Sequence, residues 1–199
     1  LNNLQMECRS YLSSYNSPII KEAYTLSKAL LMIYKYNDFN EARQIAKPIW
    51  ERLCKSNDLY LYDLYFLNAI LYIFSFEEAL NLKNFLFRGY EKYKNLNNTI
   101  PIFLNTHINL SLLSIEHKRY IDALKYLDIA ENICKEQRLY FQLAVIYIRK
   151  GICLINLTRK GKKEIEKGLN LMRMFDENEA LIILRQEIKI YTGLKFTLE

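Results

Sequence analysis

Gln142, Arg149 and Asn156 fall seven residues apart, and Asn105, Asn109, Leu112 and Glu116 follow one another at steps of four, three and four. Residues so spaced lie on one face of a helix. Leu61, Tyr65, Asn68 and Tyr72 make a further stripe, and Tyr24, Lys28, Leu31 and Lys35 another. The chemistry these residue types offer is recognition. An Asn side chain presents a donor and an acceptor together, which is what a peptide backbone requires. Interleaved Tyr and Leu would form pockets for apolar side chains, and Arg149 would suit a carboxylate. An Asn left unpaired in a dry groove costs about 1–3 kcal/mol, so each needs a partner or water. Any one of these Asn could as well cap a turn or pair with a neighbouring helix. As a set they point to a ligand groove.

Turnover finds little support. His107 and His117 are the only histidines, and Glu116 beside His117 points away from it on a helix. No HExxH, GxSxG or glycine-rich phosphate loop occurs, so the sequence is read as non-enzymatic with no catalytic residue and no cofactor. Cys8, Cys54, Cys134 and Cys153 have no CxxC spacing and no nearby His to complete a zinc set. They read as reduced thiols of a cytoplasmic protein. The net charge of +6 is spread along the chain. Its densest run, Arg159-Lys160-Gly161-Lys162-Lys163, falls where a turn is expected and reads as a solvated turn rather than a nucleic-acid contact. No stretch reaches the roughly 18 uninterrupted apolar residues of a membrane span, and residues 1–16 lack the layout of a signal peptide. The first residue is not Met, so a piece of a longer protein is expected.

The elements that must carry these stripes are helices. Hydrophobic residues make up 51% of the chain, with only five Gly and three Pro, which suits long helices with brief turns. The organising stretch is 104–137, read as two amphipathic helices joined near His117–Arg119. Tyr120, Ala123, Leu124, Leu127 and Ala130 form the buried face of the second, and Leu110 and Leu113 supply bulk from the first. Such a pair cannot enclose a core alone and needs stacked neighbours, which defines a helical repeat.

The neighbours are present. Ser17-Pro18 predicts a helix start running to about Tyr36, and Asp38 a restart through Trp50 that Pro48 should kink or loosen. Asp58 is expected to cap a helix over 58–74, and Ser75 with Glu78 forms a capping box. Pro101 opens a helix favourably, and later helices are expected around 139–157, 164–175 and 177–191. Phe39-x-x-Ala42, Phe76-x-x-Ala79 and Tyr120-x-x-Ala123 repeat as helix-opening signatures, with Lys162-x-x-Ile165 a degraded fourth. Their spacings of 37, 44 and 42 are irregular beside the tetratricopeptide period of about 34. The fold expected is all-α, a tetratricopeptide-like helical-repeat solenoid of about four to five helix hairpins. Residues 1–16 are a connecting segment, 17–197 the ligand-sensing and dimerisation domain, and 198–199 a cloning scar. Leu181, Leu184, Ile188 and Tyr191 on the last helix either cap the stack or supply a dimer face.

Trp50, then LYDLYFLNAILYIFSFEEAL, NTHINLSLLSIEHKRYIDALKYLDIAE, YFQLAVIYIRKGICL and GLNLMRMFDE, resemble in their order the carboxy-terminal domain of Rgg/GadR/MutR-type transcriptional regulators. The resemblance covers roughly 50–191. It implies a cytoplasmic, dimeric bacterial regulator whose repeat domain senses a short apolar signalling peptide on its concave surface, as in quorum sensing. It also implies that DNA is contacted only through an amino-terminal helix-turn-helix domain, which this sequence lacks, and it implies no membrane partner. The peptide-binding residues expected from helical geometry are Tyr65, Asn68, Tyr72, Asn105, Asn109, Leu112, Gln142 and Arg149. The alternative is a tetratricopeptide-like scaffold for protein–protein interaction with no pheromone.

Overall fold

The four helix-opening signatures mark the same register. Phe39, Phe76, Tyr120 and Lys162 are the first residues of α3 (Phe39–Lys55), α5 (Phe76–Tyr93), α7 (Tyr120–Gln137) and α9 (Lys162–Met174). Three residues on, Ala42, Ala79, Ala123 and Ile165 are all fully buried. The pattern thus marks the first inward-facing position of the second helix in each hairpin, where a small side chain lets the partner approach. The computed structural model describes residues 1–36, 38–56, 58–96 and 99–196. Among them it places ten helices packed as sequential pairs, an all-α helical-repeat arrangement of the tetratricopeptide kind. The expected scar at 198–199 lies outside the described residues. The chain divides into two compact units, 1–102 and 103–199, the division falling in the first turn of α6 (Ile100–Glu116).

In the first unit, α1 is the helix Asn2–Ser14. It packs on α2 (Pro18–Tyr36), burying Cys8, and Arg9 Nε donates to the Tyr24 hydroxyl at 2.5 Å. Ser17 Oγ accepts from Ile20 N at 3.4 Å, and Asp38 Oδ1 from Glu41 N at 2.9 Å, as the cap signals predict. Helix α3 runs on through Pro48, which is exposed. The next helix departs from expectation. It is only α4 (Leu61–Ile70), and Asp58 is not its cap, because the Asp58 carboxylate pairs with Lys92 Nζ at 2.6 Å. Asp63 does the capping instead, accepting from Tyr60 N at 2.9 Å. The Ser75–Glu78 box forms, with Ser75 N donating to Glu78 at 2.8 Å and Glu78 N to Ser75 Oγ at 3.4 Å. Leu53, Leu64, Leu67, Ile70 and Ile73 are fully buried, and Trp50 stacks on Phe74 at 3.9 Å.

The core of the second unit joins Leu104 and Ile115 of α6, Ala123, Leu127, Ala130 and Cys134 of α7, and the inward residues of three more helices. These are α8 (Tyr140–Thr158), α9 and α10 (Asn178–Thr192). Leu110 and Leu113 are buried as well. The α8–α9 contact is unusually close. A Cβ on Gly168 would meet the Ala144 carbonyl oxygen at 2.5 Å, and one on Gly151 would meet Ile165 Cγ1 at 2.5 Å. Helix α8 is long and apolar enough to cross a membrane, yet 56% of that window is buried inside the protein and it carries Arg149 and Lys150 at its middle. It is a core helix. Turns after α6, α7, α8 and α9 use Lys118, Arg138, Arg159 and Asp176 at positive φ.

Candidate functional site

On α6 the backbone is studded with polar side chains, and they sort into two sets. Thr106, His107, Ser111 and Ser114 are buried. Ser111 Oγ donates to the Ile108 carbonyl at 2.7 Å, Ser114 Oγ to the Leu110 carbonyl at 2.8 Å, and His107 Nδ1 to the Phe103 carbonyl at 2.8 Å. Hydroxyls and imidazoles that bond back to their own helix can sit in an apolar setting without a penalty for lost water. Burial also pulls the His107 pKa below its ordinary value, so the ring is a neutral structural group. On the other side, Asn105 and Glu116 are exposed, and Asn109 and Leu112 are half-buried. The stripe expected to meet a ligand is therefore the side of α6 that reaches solvent.

Gln142 on α8 is half-buried. In the first unit, Tyr65 is exposed, and Asn68 and Tyr72 are half-buried on and just beyond α4. Burial pushes the Tyr72 hydroxyl up to about 12, with Tyr34 adding to the shift. Tyr65, Asn68 and Asn109 already hold interactions within the protein, so a ligand would share or exchange them.

Arg149 is different. The carboxylate it meets in the structure belongs to the protein itself. Arg149 Nε donates to Glu187 at 2.8 Å, Nη2 to the same carboxylate at 3.2 Å, and Nη1 to the Ile108 carbonyl at 2.9 Å. The arginine side chain is 9% exposed and that of Glu187 11%. Its fork is thus committed to α6 and α10, and its role becomes that of a clasp holding the stripe-bearing helix. Tyr191 Oη donates to Glu116 Oε1 at 3.3 Å, and Asn156 Nδ2 to the Tyr191 carbonyl at 3.0 Å, so the same helices are tied twice more. Sequence reasoning missed Glu187 because its partner is 38 residues away, beyond any helical periodicity. Leu181, Leu184 and Ile188 are buried in the core of the second unit, and Tyr191 packs against it. The outward side of α10 carries exposed Ile182, Ile183 and Ile190.

Burial raises the Cys134 and Cys153 thiols to about 11 and about 12, where they stay protonated. Among the described residues no three His, Cys, Asp or Glu gather in a way that could hold a metal ion. Arg159, Lys160, Lys162 and Lys163 are exposed, while Gly161 between them packs on α8.

Paired helices with a polar stripe on one accessible helical side make this a helical-repeat domain. Residues 53–182 match the family described as the HTH-type transcriptional regulator Rgg, C-terminal domain, and the chain belongs to that family, a regulatory one. No curated protein sequence matches it. The fold is similar to the crystal structure of a Listeria monocytogenes EGD-e protein described as a transcriptional regulator, with a TM-score of 0.72 at 15% identity. That match covers 94% of this chain and 66% of the other, so the chain spans just under two-thirds of the solved relative. At this identity the likeness speaks for the fold alone.

Proposed function

We propose that this chain is the sensor domain of a cytoplasmic transcriptional regulator and binds a short apolar signalling peptide. The observation that carries the reading is the sorting of polar residues on α6. His107, Ser111 and Ser114, facing inward, bond back to their own helix, whereas Asn105, Asn109, Leu112 and Glu116 lie where a ligand can reach them. An extended peptide leaves its backbone N–H and C=O groups unpaired, and Asn side chains match both. Asn105 and Asn109 take the peptide backbone and Leu112 an apolar side chain, with Gln142 a further contact. In the first unit, Tyr65, Asn68 and Tyr72 are proposed as peptide contacts in their own right. Arg149 takes part by holding α6 to α10.

A peptide acts on the regulator only through a difference in affinity between two states of the domain. The homodimer that the family resemblance implies, and DNA contact through an amino-terminal helix-turn-helix domain outside this sequence, complete the proposal. The test is calorimetric titration of the chain with short apolar peptides encoded near its gene. Saturable binding that weakens on Asn109→Ala, with helicity unchanged, is the expected result. Folded protein that binds none of the peptides would overturn the reading.

A further inference from the structure

A second recognition feature lies in the second unit, outside the α6 stripe. Where the first turn of α8 meets the turn between α9 and α10 there is a pocket of about 350 Å³, lined among others by Arg138, Tyr140, Gln142, Leu171, Phe175 and Glu177. The Tyr140 and Phe175 rings stack at 5.7 Å with 15° between their planes, yet remain 48% and 52% exposed. Two aromatic rings held against each other while half in water form a preset apolar wall. The wall continues into the buried core through Met172 and Ala144, which also line the pocket. Beside it stand one cation, one anion and one amide. Arg138 is held in a left-handed backbone conformation at the end of α7, φ 56°. Unlike Arg149, neither Arg138 nor Glu177 has its side chain tied up with a partner among the described residues.

We infer that this pocket binds an apolar α-amino-acid residue ending in a free carboxylate. Its volume sits at the low end of the roughly 300–1,000 Å³ of small-ligand pockets, which fits one or two residues rather than a long segment. The aromatic wall takes the apolar side chain. The Arg138 fork matches the carboxylate, and the Gln142 amide donates to it or accepts from the residue's own N–H. Glu177 accepts from that N–H, or faces an ammonium if the residue is a free amino acid. The same chemistry therefore has two sources, the last residue of a peptide or a free apolar amino acid. The inference goes beyond the α6 reading, with which it shares only Gln142, and does not depend on it.

The test is a titration of the full chain, followed by amide chemical shifts, with three probes. These are N-acetyl-L-phenylalanine, L-phenylalanine and N-acetyl-L-phenylalaninamide. At least one of the two acids is expected to shift the amides of Tyr140 and Phe175 saturably, with the acetyl amide at least tenfold weaker. Arg138→Gln should erase that preference for the acid, and Phe175→Ala should weaken all three probes. Tighter binding of the acetylated acid identifies the end of a peptide. Tighter binding of the free amino acid, lost in Glu177→Gln, identifies a metabolite. Amide bound as well as acid, acid preference intact in Arg138→Gln, or no shift around the pocket would each overturn the inference. None of these outcomes bears on Asn105 and Asn109, whose titration with longer peptides decides the α6 reading separately.

Discussion

Arg52 in the first unit and Arg149 in the second each reach from one helix to two others, but they meet different partners. Arg52 on α3 bonds Glu22 of α2 at 2.5 Å and Asp63 of α4 at 2.7 Å. The arginine side chain is 36% exposed, while Asp63 is fully buried. Arg149 on α8 meets one carboxylate and one backbone carbonyl, all well away from water. The first cluster holds two acids to one base, and the second is balanced. A buried charge tolerates its surroundings only while its partner stays. The first unit therefore depends on its arginine to keep two carboxylates together, and the second uses its arginine to fix where α6 lies. An arginine at helical spacing in a sequence looks the same in both cases.

The largest effect is expected for Arg52→Met, which leaves Asp63 buried without its cation and close to Glu22. A loss of about 4 kcal/mol is expected, read as a shift in the urea midpoint. Arg149→Met should cost about 3 kcal/mol by the same reasoning. Adding Glu187→Leu should restore much of that, since the orphaned charge goes with it. Such recovery would mark the clasp as a matter of charge balance, whereas a double variant as unstable as the single would assign its worth to packing.

Gly168→Ala tests the close α8–α9 contact and should cost about 1–3 kcal/mol, because α8 must move away from the added methyl. A neutral substitution would show that the helices separate freely. The smallest effect concerns acid. Burial works against the Glu131 carboxylate, but bonds from Lys135 and Lys150 outweigh it and hold its pKa below the ordinary 4.5. The stability this contributes is complete above about pH 4.5 and is lost as pH falls through the folded-state value. Glu131→Gln should therefore flatten the acid limb of a stability–pH curve. Glu78 in the first unit is lowered by its bond to Ser75, yet Glu78→Gln should alter stability less, since Gln still serves a capping box.

Much of this fold was legible in the sequence because its signals are local. The cap at Asp38, the box at Ser75 and Glu78 and the aromatic-x-x-small signature each lie within one helical turn, and all took the form expected. Helix ends were harder. Lys118, Arg138, Arg159 and Asp176 adopt the left-handed conformation that sequence patterns associate with Gly or Asn, so residue type did not show which residue of each expected turn would adopt it. Asp58 resembled a cap, but its charge is drawn to Lys92, 34 residues on. The candidate site divides the same way. Helical spacing found which side of α6 carries Asn105 and Asn109. It could not see that Arg149 is held by Glu187, nor that Tyr140 and Phe175 meet.

The most direct measurement is calorimetric titration of Asn105→Ala/Asn109→Ala with a short apolar peptide that the unaltered chain binds. Binding should weaken by roughly five- to thirtyfold, the loss of one or two hydrogen bonds at about 1 kcal/mol each. Circular dichroism should show unchanged helicity. Unchanged affinity, from folded protein, would contradict the assignment of α6 as the peptide-binding helix.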